Sequence, residues 1–470
     1  MIELRKIFHC FRPSEISQIK ELIRLRNKSC DNRKYQLLEL IEKNTGITDA
    51  QAVKLIYGNK NSGSAFSHLK DRLKKDLLDF LHQKGQDRVV DLKVAHEIKA
   101  QKLYTQGLIL YYQDLKDIAF SSLTEALKIS EKYELFHIKL AIYEFIGTHL
   151  KKESREAVWE QYQYTISELE NLYHLKADFY LPQKSSWDGP SGTSNLNSTS
   201  SLFWYYKIHT KKMEDQKDYL KADQYSQKML SALEAKPNLF TREEVLATNL
   251  TKARLCIYQD RLDDAVRFSK QAINHPCSHD SSKIRALEIL FYVFFYRHEW
   301  EKAEKTSQKA ISYLSEDTMD RCKWDYFMAN LTFAKGRFRD SVKILSTKSI
   351  SINNQNFLLN KRLLEMLNLI EMRDYDWLDF KMDNFRKAAR KVKSDYITRC
   401  KKINLLVKRL AANRFNFCKT CDDEASLIEE LSQTSGPFAR DPMGFELIDI
   451  PRWFKDKASG NVNSSNGKIT

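Results

Sequence analysis

With 470 residues the chain exceeds what one ordinary hydrophobic core supports, so it holds several domains or a fold that grows in one dimension. Only 13 Gly and 8 Pro are present, which argues against an all-β or doubly wound fold and for long helices joined by short turns. The net charge of +15 is uneven, with 18 Lys/Arg against 11 Asp/Glu in residues 1–90 and 13 against 2 in residues 381–421. Such local charge attracts nucleic acid, anionic lipid or an acidic protein face, and equally describes the solvated side of a helix.

Residues 1–90 read as an N-terminal helical unit. Apolar spacing places helices over 14–28 and 33–43. A shorter one comes at 48–57, capped by Thr48 and stopped by Gly58. After YGNKNSG comes a long amphipathic helix, SAFSHLKDRLKKDLLDFLHQ, whose Phe66, Leu69, Leu73, Leu77 and Leu81 form a stripe. This unit is expected to cap the first helical repeat of the chain. The alternative is a helix-turn-helix in which Ser64, Ser67, His68 and Lys70 face a DNA groove and Arg72, Lys74 and Lys75 meet phosphates.

A helical rhythm begins in the next segment, 91–181. In AQKLYTQGLILYYQDLKDIAFSSLTEALKIS, Gly107 is followed twelve residues on by Ala119 and seven further by Ala126. A degenerate copy stands at Phe145, Ala157 and Tyr164, and the same spacing returns at Ala253, Ala265, Ala272 and at Phe291, Ala303, Ala310. Residues 182–200, rich in Ser, Gly and Asn, read as a flexible inserted loop. Helices then run through 201–420, with second-helix anchors at Ala222, Ala265, Ala303, Ser341 and Leu378. An apolar or aromatic residue stands three positions before each: Tyr219, Leu262, Trp300, Phe338 and Tyr375. Small residues at fixed offsets let two helices cross closely, and the larger residue plugs the turn. Such a unit cannot bury its apolar face alone, so its neighbours must stack into a solenoid. Residues 421–456 are expected to hold one short helix (ASLIEELSQ) and an extended piece, DPMGFELIDIPRWF, before a disordered tail at 457–470.

Leu103, Gly107, Leu110, Ala119, Leu123 and Ala126 stand where the tetratricopeptide repeat places its large and small residues. The segment therefore resembles that family, and the whole plan is similar to large tetratricopeptide proteins of bacteria. The later repeats lack the Gly, none ends in the usual Pro, and the period is longer than the family's. The resemblance implies an all-α fold, a TPR-like α-α superhelix (solenoid), with a binding or scaffold role. It transfers no active-site residue.

Chemistry-bearing patterns are sparse. P-loop, GxGxxG, HExxH and GxSxG motifs are missing, and none of the 11 histidines lies beyond His298. No enzyme activity, catalytic residue or cofactor is expected. Cys418-Lys-Thr-Cys421 and His275-Pro-Cys277-Ser-His279 each offer part of a metal-binding set, and no metal is assigned. The expected role is non-catalytic: protein or peptide binding along a concave surface. Asn249, Lys252, Arg254, Lys283, Arg285, Asn330 and Lys335 are the candidate contacts there. A basic patch of Arg386, Lys387, Arg390, Lys391, Lys393, Lys401 and Lys402, continued by Lys408 and Arg409, points to an acidic protein or peptide, with nucleic acid the weaker expectation. The alternative function is a DNA-binding regulator whose repeats sense a partner. The MIELRKIFHC start has no secretory h-region, eight scattered Cys suit reduced thiols, and ALEILFYVFFYRHEW is too short to span a bilayer. A cytoplasmic location without membrane insertion is the expectation. Oligomeric state is not legible.

Overall fold

The computed structural model describes residues 1–26, 32–44, 46–58, 63–84, 91–149, 152–181, 196–276, 278–315, 318–346, 354–390, 396–433 and 438–460. Among the described residues the chain is all-helical: 23 α-helices, one 3-10 turn at Pro237–Leu239 and no strand. It divides into two compact units, Met1–Leu169 and Glu170–Thr470.

The first unit opens with α1 (Ile2–Phe8), α2 (Pro13–Arg26), α3 (Arg33–Lys43), α4 (Asp49–Tyr57) and α5 (Gly63–Lys84). These five helices share one core, to which α5 contributes Phe66, Leu69, Leu73, Leu77 and Phe80. The helix start at Thr48 is a capping box, with reciprocal bonds between Thr48 and Gln51. Then come α6 (Leu92–Tyr112), α7 (Lys116–Lys132), α8 (Phe136–His149) and α9 (Lys152–Tyr180), the last running into the second unit. The α6–α7 hairpin shows why Gly107 is glycine. A β-carbon there would lie 2.7 Å from Leu123 Cγ, closer than any carbon contact tolerates. Ala119, Leu123 and Ala126 are fully buried beneath it. The degenerate copy has a different register: Ala157 and Tyr164 are exposed, while Gly147 packs on Trp159 and Thr165 is buried.

The second unit is a succession of antiparallel hairpins: α10 (Thr199–Asp215) with α11 (Tyr219–Ala235), α12 (Arg242–Tyr258) with α13 (Leu262–Ile273), and α14 (Asp280–Tyr296) with α15 (Trp300–Ile311). Next are α16 (Met319–Ala334) with α17 (Phe338–Ser346) and α18 (Gln355–Met372) with α19 (Tyr375–Ala389). Each hairpin packs on the next through its second helix, and α20 (Tyr396–Ala412) closes the series against α18 and α19. The anchors Ala222, Ala265, Ala303, Ser341 and Leu378 are all buried to within 1%.

The turns repeat as faithfully as the anchors. Asp114, Lys217, Asp260, His298, Gly336 and Arg373 adopt left-handed backbone with φ between 56° and 74°, each five residues before its anchor. In each case the next residue's N–H donates back to the first helix: Leu115 to the Leu110 carbonyl, Asp218 to Met213, Arg261 to Cys256, Glu299 to Phe294, Arg337 to Thr332 and Asp374 to Leu369, at 2.8–3.0 Å. These Schellman closures satisfy carbonyls that the helix end would otherwise leave bare. Only one of the six is glycine, so the others carry left-handed strain of about 1 kcal/mol each that tertiary packing offsets.

Three short helices end the second unit: α21 (Phe417–Asp423), α22 (Ala425–Leu431) and α23 (Ile450–Ala458). The last corrects the expectation of an extended 441–454 and a tail from 457. Asp449 accepts from Arg452 N at 3.1 Å and Pro451 lies in the first turn, so IPRWF starts a helix. Of the expected extended piece, only 441–449 lies outside a helix. Most of the inserted loop (182–195) and residues 461–470 lie outside the described residues.

Candidate interaction groove

Several residues expected to line a binding surface are committed inside the fold. Lys252 is 2% exposed; its ammonium donates to Asp223 Oδ1 at 2.6 Å, while Arg261 pairs with Oδ2 of the same carboxylate at 2.7 Å. This network ties α11 to α12. Asn330 is 1% exposed and donates to its own helix, at the Tyr326 carbonyl, and Asn249 is likewise buried. These three are therefore core residues, because the polar positions of a first helix between two neighbours face packing rather than water. Arg254 holds Glu214 at 2.7 Å, Lys283 reaches Asp280 at 3.4 Å, and Lys335 pairs with Glu304. Arg285 is exposed.

The basic patch is split between two helices. Arg386 and Arg390 are exposed at the end of α19, where Lys387 also lies, and Lys401 is exposed on α20. Lys402 pairs with Glu430, Arg386 with Asp383 and Arg409 with Glu424. Lys391 and Lys393 lie outside the described residues. In the N-terminal unit, Lys70 binds Asp49 at 2.6 Å and Lys74 binds Glu3 at 2.5 Å. Both carboxylates are held below their usual range, first by these hydrogen bonds. Ser64, Ser67, His68, Arg72 and Lys75 lie along α5 on the same helix.

The partial metal sets do not converge. Cys418 Sγ donates to the Ala458 carbonyl at 2.9 Å and Cys400 is buried. His279 is exposed, and Cys277 lies outside the described residues. Among the described residues no three candidate ligands come together, and no helix is long and apolar enough to cross a membrane.

The geometry that stands out was not singled out by the sequence. Residues 438–449 run as a strap across the first helices of successive hairpins. Tyr258, at the end of α12, donates to Asp441 Oδ1 at 2.9 Å. On α14, Tyr296 donates to the Pro442 carbonyl, and Tyr292 reaches the Met443 and Gly444 carbonyls at 3.0 and 2.9 Å. On α16, Tyr326 donates to the Phe445 carbonyl at 2.6 Å. On α20, Arg399 forms a bidentate pair with Glu446 at 2.7 and 2.6 Å, with both side chains at most 3% exposed. The same guanidinium donates to the Leu431 carbonyl at 2.8 Å and to that of Phe438. The Phe445 ring sits edge-on to Tyr326 and to Phe357 of α18, at centroid distances of 6.2 and 5.3 Å.

Six consecutive residues, 441 to 446, are thus each read by a side chain from the hairpin row. Burial raises the tyrosine hydroxyls far above their ordinary range, Tyr296 to about 12. They stay protonated and act as fixed donors. Four of the six residues are held by main-chain carbonyls, which any extended peptide carries. Side-chain contacts add sequence information at Asp441, Phe445 and Glu446, and Met443 packs on the apolar core.

Comparison with family models, curated proteins and solved structures finds no match for the chain.

Proposed function

We propose that the chain is a non-catalytic, TPR-like helical-repeat scaffold whose first helices bind an extended segment of a protein partner. One observation carries the reading: a row of protonated tyrosines on α12, α14 and α16 donates to a non-helical segment that turns once at 441–444, mostly at its carbonyls, a main-chain mode of recognition that side-chain contacts then make selective. The tandem hairpins, with their buried small anchors and repeated left-handed turns, support a stacked solenoid as the scaffold. A carbonyl-reading row also fits a role without chemistry, since nothing in it supplies a nucleophile beside a base.

The test is selection of random twelve-residue peptides displayed against the full chain, followed by a hydrogen-exchange footprint of the enriched peptides. The reading expects protection on α12, α14, α16 and α20, and loss of binding in a Tyr292→Phe/Tyr326→Phe variant. Enriched peptides that protect other helices, or no enrichment, would sink it.

A second reading, a DNA-binding N-terminal unit, draws on the run Ser64, Ser67, His68, Arg72 and Lys75 along α5. It is weakened by the ion pairs that hold Lys70 and Lys74 against the unit itself.

A further inference from the structure

We propose that residues 438–449 are an internal occupant of the groove, and that the partner which displaces them is an acidic, non-helical peptide with an Asp followed, four and five residues on, by an aromatic residue and a Glu. The proposal rests on the peptide-binding reading above and names the ligand and the regulation of that site.

Three features of the strap argue for a displaceable occupant. After Phe438, whose carbonyl is held by Arg399, residues 441–446 follow the row in chain order, Asp441 on α12, then α14, α16 and back to Arg399 on α20, as a separate peptide could lie along successive repeats. Its own backbone bonds within 441–447 are short-range, with Gly444 N donating to the Asp441 carbonyl in a turn and Leu447 N to that of Phe445, so the segment has no helix or strand to lose on leaving. The polar anchors that reach it from the hairpin row are side-chain donors (hydroxyls and a guanidinium), which can re-form unchanged on an equivalent segment.

The same contacts define the ligand. Arg399 is 1% exposed and presents a planar fork, so it requires a carboxylate in bidentate geometry; an amide leaves a buried cation unmatched. Tyr326 and Phe357, whose own rings pack 5.2 Å apart, together present a surface that takes a further flat ring edge-on. Tyr258 supplies one further donor for a carboxylate at the Asp441 position. The groove meets Glu446 with a cation, so electrostatics there favour an anionic partner. The internal copy acts at very high effective concentration, so the groove binds only ligands that compete with it.

The probe is a fluorescein-labelled synthetic peptide with the sequence of residues 438–449, FARDPMGFELID, titrated by anisotropy into the full chain. Binding to the wild type should be weak. Glu446→Gln loosens the internal copy and should tighten probe binding at least ten-fold, while leaving the groove side intact. Phe445→Ala, a milder change in the strap, should act in the same direction, and circular dichroism checks that both variants are folded. A probe with its own Glu changed to Gln should lose the gain, as should Arg399→Met added to Glu446→Gln. Equal, weak binding to wild type and to both folded strap variants would overturn the proposal. If display-selected peptides still footprint on the groove in that case, the peptide-binding reading survives and the internal-occupant claim alone fails. If neither probe nor selected peptides bind, both fail.

Discussion

Replacing Gly107 by Ala isolates the packing rule on which the hairpins depend. Two opposed effects decide its sign. Ala in a helix interior is favoured over Gly by about 1 kcal/mol. Against this, the added β-carbon lies 2.7 and 2.8 Å from Leu123 Cγ and Cδ2, and 3.3 Å from the Ala119 carbonyl oxygen. The first two atoms belong to a side chain that is itself fully buried and has no room to swing. Overpacking of this kind destabilises by about 1–3 kcal/mol. The net expectation is a loss of about 0–2 kcal/mol, opposite in sign to helix propensity alone. Leu123→Ala alone should lose about 2–5 kcal/mol through its cavity. In the double variant the clash is gone and the new methyl fills part of the hole, so a favourable coupling of about 1–3 kcal/mol is expected. Native-state hydrogen exchange of α6 and α7 reads this locally, which matters because a chain of two compact units need not unfold in one step. A Gly107→Ala variant stabilised by about 1 kcal/mol, or strictly additive singles, would refute the close-crossing argument.

Four further outcomes are expected. Gly336 has φ 74° and nothing within 4 Å of its would-be β-carbon, so Gly336→Ala tests backbone strain without packing and should lose about 1 kcal/mol by exchange in α16 and α17. Arg399→Met leaves Glu446 buried without its partner and should lose about 3–5 kcal/mol, whereas Arg399→Met with Glu446→Leu should return close to wild type in urea melts. Burial lowers the His209 and His298 side chains below their ordinary 6.5. Their unfolded forms take up protons first, so stability is full above about pH 6.5 and falls as pH drops below it; His209→Gln should flatten that slope in thermal melts, and an unchanged slope would refute the assignment. Charge reversal of Arg386, Lys387 and Arg390 should weaken retention on heparin and reduce its salt dependence, and unchanged elution would show that the patch is neutralised.

The small anchors were legible because residue type and spacing both mark them: Ala119, Ala265 and Ala303 are identical in kind, each followed seven positions on by another Ala, and fully buried. The Thr48 cap and Gly58 stop were legible for the same local reason. The repeated turns were not. Asp114, Lys217, Asp260, His298 and Arg373 occupy a backbone region that sequence assigns to glycine, and what forces them there is the packing of the two helices they join. The buried polar groups failed for a related reason. Lys252 reads as a surface cation until Asp223, 29 residues earlier, is seen beside it. The strap was least legible of all. Tyr258 meets Asp441 across 183 residues and Tyr292 meets Met443 across 151, and no local pattern announces such a pairing. Tyrosines on first helices look like ordinary core until the carbonyls they hold are known. The α23 start, by contrast, was readable and missed: Asp449 with Pro451 two residues on is a helix N-terminus.

Hydrogen exchange of residues 438–449 in the full chain, with and without a saturating display-selected peptide that protects α14 and α16, tests the central claim most directly. The account predicts that the peptide strips protection from 438–449 while adding it to the tyrosine-bearing helices, at the same ligand concentration. Protection of 438–449 that persists while the peptide is bound to those helices would contradict it, and would make the strap a permanent part of the core.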